Sequence, residues 1–197
     1  MLKERIRTVN VEGIGQISLK KTNLNRNIRI TVRSIQDITV TLPATLSWEA
    51  ALGFIEKKKA WIQQARDKML LKTYRIRELL DSREIIERQE SREILTRKTR
   101  VIADKAGFSY NKLTIRCNRS RWGSCSARNN ISLNLFLVLL PEHLQNYVIL
   151  HELLHTQIKN HGGDFWRMMA ALKPDYKKCR AELQDYPPGL IAGMLQR

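Results

Sequence analysis

Apolar and polar positions alternate with a period of two through the first forty-odd residues, then switch to a helical period. Ile28, Ile30 and Val32 alternate with Arg29, Thr31 and Arg33, which predicts a strand with one buried and one basic face. Ile38, Val40 and Leu42 repeat the pattern beyond a short turn at residues 34–37, so the two segments predict a hairpin. Residues near 14–19 predict a further strand, and the three together predict a small antiparallel sheet. Ser47 then reads as a helix cap ahead of Trp48 and Glu49. The predicted helix runs to about Leu71, buries Leu52, Ile55, Ile62 and Met69, and turns Lys57, Lys58 and Lys59 to solvent. A second helix is predicted over residues 74–106, with Glu84→Arg88 and Glu93→Arg97 at i,i+4 and Gly107 as its stop.

Alternation returns after Gly107. Leu113 and Ile115 predict one strand and Ile131 and Leu133 another, joined through a loop that holds Arg121, Trp122 and Gly123. From Leu144 to Ile158 apolar residues fall on nearly every side, the signature of a buried helix. Pro141 suits its first position, and Glu142 complements the positive end of its dipole.

That apolar helix carries His151, Glu152 and His155. Three of the chain's four histidines lie within the eleven residues 151–161. Two imidazoles four apart share one helix face and can hold a single metal ion, with the neighbouring glutamate as general base. Asn160 suits a left-handed residue past the helix end, and a turn there would swing His161 back toward His155 as third ligand. Asp164 is the rival for that place, or else caps or begins a further helix that ends before Pro174 and brings Phe165, Trp166, Met168, Met169 and Leu172 beneath the site. A single histidine in an apolar helix is ordinarily a hydrogen-bonded core residue. Three at this spacing beside a glutamate favour a metal site.

Size and charge narrow the rest. At 197 residues and 43% hydrophobic, the chain has enough apolar material for an ordinary core. We expect one continuous unit over 1–197: a basic sheet lobe with its helix (1–72), a charged helix (73–107) and a catalytic core (108–197). No apolar run approaches membrane length, and the first seven residues lack the apolar stretch of a signal peptide. Three cysteines without a paired framework fit a reducing compartment, hence the cytoplasm. Cys117 and Cys125, eight apart with no C-x-x-C pair, read as small thiols rather than ligands, and Cys179 has no partner in view. The net charge of +16 is concentrated in residues 1–130, which carry +15. Such a field attracts nucleotides or nucleic acid, and equally keeps a protein soluble.

The segments Arg121 to Ser126, Ile131 to Asn134, Tyr147 to His155, Asn160-His161 and Phe165-Trp166 resemble the YgjP-like metallopeptidase family, which looks related to the SprT-like and WLM zinc proteases. The resemblance is dense over about 115–180. It implies an α+β, zincin-type fold, with an active-site helix packed on a small antiparallel sheet. It also implies His151, His155 and His161 as zinc ligands and Glu152 as catalytic base. Ile158 stands where the metzincins, with the same ligand spacing, place a glycine.

The chemistry expected is hydrolysis. Three neutral imidazoles leave a fourth zinc position for water, Glu152 takes the water's proton, and a peptide carbonyl is attacked. Ni²⁺, Co²⁺ or Mn²⁺ can occupy such a site. Arg121, His143 and Tyr147 are candidate oxyanion stabilisers, each with a structural alternative, and Trp122 reads as packing. An extended peptide could add a strand to the sheet edge. A nucleoside triphosphate is the alternative substrate for the same site, although no Gly-rich phosphate loop is present.

Overall fold

A computed structural model describes residues 5–81 and 87–195, which divide into two compact units, 1–74 and 75–197. The first holds strands β1 (Ile6–Val11), β2 (Gly15–Thr22), β3 (Arg29–Val32) and β4 (Ile38–Pro43), then helix α1 (Trp48–Lys57) and the start of α2 (Lys59–Asp81). Sheet order is β1-β2-β4-β3. The expected hairpin is present as antiparallel β3–β4, its turn closed where Ser34 Oγ accepts from the Asp37 N–H at 3.0 Å. The sheet is mixed rather than purely antiparallel, because β4 inserts beside β2 and runs parallel to it. Alternation reports which face a side chain takes, not the direction of the neighbouring strand. Ile17, Leu19, Ile38, Val40 and Leu42 line the buried face and cluster with Ala51, Ile55 and Ile62 of the helices.

Ser47 caps α1 as expected, accepting from the Ala50 N–H at 3.2 Å. The helices beyond it differ from the pattern. One break falls at Lys58, and α2 continues through Leu71 and Tyr74, where the apolar pattern predicts a boundary. Leu52 is exposed and Met69 half-buried, whereas Ile55 and Ile62 are buried. Helix α3 (Arg88–Ala106) ends at Gly107 in the left-handed conformation, φ +68°, which a side chain would strain. Glu93 accepts from Gln89 at 2.9 Å; Glu84, the other expected pair's acid, lies outside the described residues.

The second unit adds β5 (Lys112–Arg116), β6 (Gly123–Cys125) and β7 (Asn130–Asn134), a 3₁₀ turn (Leu135–Leu139), and helices α4 (Glu142–Leu154), α5 (Gly163–Leu172), α6 (Tyr176–Leu183) and α7 (Pro188–Leu195). The α+β class holds, but this sheet is also mixed: in the order β5-β7-β6, β5 runs parallel to β7 and β6 antiparallel. The loop between the two expected strands therefore supplies a third, β6, at the sheet edge. Buried Asn134 ties that loop down, donating from Nδ2 to the carbonyls of Asn118 (2.6 Å) and Arg121 (2.9 Å). Helix α4 packs against β6 and β7 on one side and α3, α5 and α6 elsewhere, which is why it is apolar nearly all round.

Leu133, 1% exposed on the central strand β7, tests this packing. Leu133→Ala should cost about 3 kcal/mol in urea unfolding, while Leu71→Ala, at a position 63% exposed, should change stability by less than about 0.5 kcal/mol. Equal effects would contradict the burial described.

Candidate metal centre

Helix α4 stops at Leu154, and His155 occupies its cap. The next backbone N–H groups fold back in tight turns, Thr156 to the Leu153 carbonyl at 2.9 Å and Gln157 to that of Leu154 at 3.1 Å. The chain thus reverses within a few residues and returns His161 to the helix. Asn160 is not the left-handed residue expected: among the described residues only Asn129 combines a side chain with positive φ. Instead Asn160 Oδ1 accepts from the Gly162 N–H at 3.1 Å, and this side-chain turn makes the bend.

The outcome is a triangle of imidazole nitrogens. Nε2 of His155 lies 3.2 Å from Nε2 of His151 and 3.1 Å from that of His161, and the third side measures 3.0 Å. His155 is buried, His151 half-buried and His161 exposed. His155 Nδ1 donates to the Ile158 carbonyl at 2.9 Å, so in the neutral ring Nε2 carries the lone pair. Phe165 of α5 floors the cluster, its ring centroid 4.7–5.0 Å from all three imidazoles. Of the apolar set expected beneath the site, Phe165 and Met169 are buried and Trp166 partly so, while Met168 and Leu172 are exposed.

Burial, reinforced by the two companion imidazoles and then Arg180, pushes His151 down to about 3. Burial, then His155 and Arg180, also lowers His161. Both shifts disfavour the charged ring, and a neutral imidazole has a lone pair to offer a metal. Tetrahedral zinc with bonds of about 2.0–2.1 Å requires nitrogens about 3.3–3.4 Å apart, close to the separations found. Three ring nitrogens this close cannot satisfy one another fully, and His151 Nδ1 is buried without a hydrogen-bond partner. The donor set fits a divalent cation.

Glu152, the next residue on α4, is only 6% exposed and turns toward β6. It packs where Gly123 has no side chain: a Cβ there would stand 2.6 Å from both Cγ and Oε1 of Glu152. Burial raises the Glu152 carboxyl to about 7, with the charge of Arg121 opposing. Gly123 was visible as a glycine inside an alternating region, a sign of close approach, but the partner it makes room for is a long-range fact.

The remaining candidates separate. His143 pairs with Glu182 at 2.8 Å, and Asp164 pairs with Arg167. Neither joins the cluster; Asp164 begins α5 as expected, standing in its first turn, and Gly162 is the cap. Tyr147 is buried with its ring 6.0 Å from His151, and burial raises its hydroxyl. Trp122 is packing as expected, donating from Nε1 to the Tyr186 carbonyl at 3.1 Å. Cys117, Cys125 and Cys179 are all free and outside the cluster.

A family model described as YgjP-like, metallopeptidase domain, matches residues 70–186, more than half of the chain. The chain belongs to the YgjP-like metallopeptidase family. It is similar in structure to the metallopeptidase zymogen of Methanocaldococcus jannaschii jannalysin, at 24% identity over 45% of this chain and 92% of that one, TM-score 0.41. The corresponding values for the zymogen of Pyrococcus abyssi abylysin are 22%, 45%, 90% and 0.41. No curated protein matches the chain. The three histidines and Glu152 of this YgjP-like metallopeptidase all lie within the matched segment. Among the described residues no helix is long and apolar enough to cross a membrane.

Between pH 4.5 and about 7 the folded, metal-free protein keeps a proton on Glu152 that the unfolded chain has released. Stability attributable to this group therefore falls as pH rises through that window, by on the order of 3 kcal/mol. Metal-free Glu152→Gln should gain on the wild type across the same interval in pH-dependent urea unfolding; parallel profiles would contradict the buried, raised carboxyl.

Proposed function

We propose that this protein is a zinc-dependent peptidase, with His151, His155 and His161 holding the metal and Glu152 as general base. The observation that carries the reading is the Nε2 triangle of 3.0–3.2 Å, with a buried carboxyl one residue along the same helix. A divalent metal bound there would acidify a coordinated water and polarise a carbonyl.

The chain's own residues supply the rest. Glu152, buried beside the cluster one residue along α4, is placed to accept a proton and return it to the departing amine. Gly123 lets the carboxylate settle against β6, and Asn134 holds the loop carrying Gly123, so the base is fixed by backbone rather than by a mobile surface. Phe165 keeps the imidazoles on an apolar floor that limits their rotation. Arg121, exposed and with its charge felt at Glu152, is the best placed of the three oxyanion candidates, since His143 is engaged by Glu182 and Tyr147 is buried. An extended peptide would lie along β6, the edge strand beside Glu152. Three free cysteines favour a reducing compartment, and we place the protein in the cytoplasm.

Glu152→Gln should retain one metal ion per chain and lose at least about a hundredfold in peptide turnover, read by metal analysis beside release of new amino termini. His155→Ala should lose the metal itself. Undiminished turnover in Glu152→Gln refutes the assignment, and pyrophosphate release from a nucleoside triphosphate without peptide cleavage would replace peptidase by nucleotide hydrolase. Gly123→Ala should keep the metal but lose at least about tenfold in turnover by displacing Glu152.

A further inference from the structure

Beside the third histidine lies a cleft of about 410 Å³ lined by Trp166, Tyr176, Lys177, Arg180, Ala181 and Gln184. It opens next to the cluster, since the Trp166 ring is 5.7 Å from that of His161. Tyr176 stacks on Trp166 at 5.5 Å and 18°, and the Arg180 guanidinium carbon sits 4.8 Å from the same ring's centroid. An arginine held over an indole loses little further freedom on binding and still presents its N–H edge.

The charges nearby sharpen the point. Asp164 is engaged by Arg167, Asp175 by Lys173, Glu182 by His143 and Asp185 by Arg75. Among the described residues neither Arg180 nor Lys177 has a carboxylate partner. Two cations on exposed positions of α6 thus share one cleft wall with an aromatic pair. A flat nucleobase would have to compete with Tyr176 and Arg180 for the Trp166 ring, whereas a carboxylate needs only the open guanidinium edge.

We infer that this cleft is a substrate subsite for a carboxylate, with Arg180 as the specificity-determining residue and Lys177 in support. Resting on the peptidase reading, it makes the substrate class acidic peptides. The guanidinium carbon lies within about 10.5 Å of the His161 ring centroid, which at about 3.3–3.6 Å per extended residue puts the recognised group a few residues from the bond cut. An acidic side chain and a free C-terminus offer the same chemistry.

The test measures binding to zinc-loaded Glu152→Gln protein by calorimetry, so that it does not depend on turnover. Four probes are compared: a neutral peptide amide, the same amide with one internal Glu, the neutral peptide with a free C-terminus, and a nucleoside triphosphate. One or both carboxylate peptides should bind roughly tenfold tighter than the neutral amide. Adding Arg180→Gln should abolish that margin without changing metal content or circular dichroism, and Arg180→Glu should invert it. The Glu peptide binding tighter identifies a side-chain subsite; the free carboxyl, a C-terminal one. Equal affinities, an unchanged margin in Arg180→Gln, or tight binding by the nucleotide alone overturns the proposal. If wild type cleaves no peptide while the margin persists, the peptidase reading fails and the subsite stands.

Discussion

Three imidazole nitrogens stand at mutual distances of 3.0–3.2 Å, close enough to share a single cation. The three rings converge, burial disfavours the charged forms of His151 and His161, and Nδ1 of His151 is stranded without a partner. A fold that pays for such a cluster must hold it by other means. Here the means are an apolar helix buried on several sides, a phenylalanine floor and a tight reversal after Leu154. In the metallohydrolase reading, each of these features positions a ligand or the base.

The arrangement around Glu152 follows the same logic. A carboxyl buried beside the cluster costs less folding free energy protonated than charged, and a group so perturbed is a candidate for function. Gly123 gives it space, and the backbone bonds from Asn134 fix the strand that carries Gly123. Glu152 is thus clasped between a helix and an edge strand. Its environment alone, rather than an ion pair, raises its proton affinity toward neutrality.

Much of this was legible in the residues. The 151–161 segment foretold its histidine cluster because helical spacing and a short return loop are local properties, and Ser47 and Gly107 announced helix ends by local backbone chemistry. Long-range facts were not legible. Nothing in Ile38–Pro43 tells that β4 inserts beside β2, nor does the Arg121–Ser126 segment show that three of its residues pair with β7. The apolar pattern misplaced the helix break, because a surface leucine such as Leu52 looks the same in sequence as a core one. Asn160 fulfilled its turn with its side chain instead of its φ angle, so a correct return of His161 followed from the wrong local device. Arg180, from a separate helix, gave no signal until the fold set it over Trp166.

The most direct measurement of the central claim is X-ray absorption on protein loaded with one equivalent of zinc. The account predicts four-coordinate zinc with three imidazole nitrogens at about 2.0–2.1 Å and one exchangeable light-atom ligand. A sulfur shell near 2.3 Å, four protein ligands with no exchangeable position, or no stoichiometric binding would contradict it.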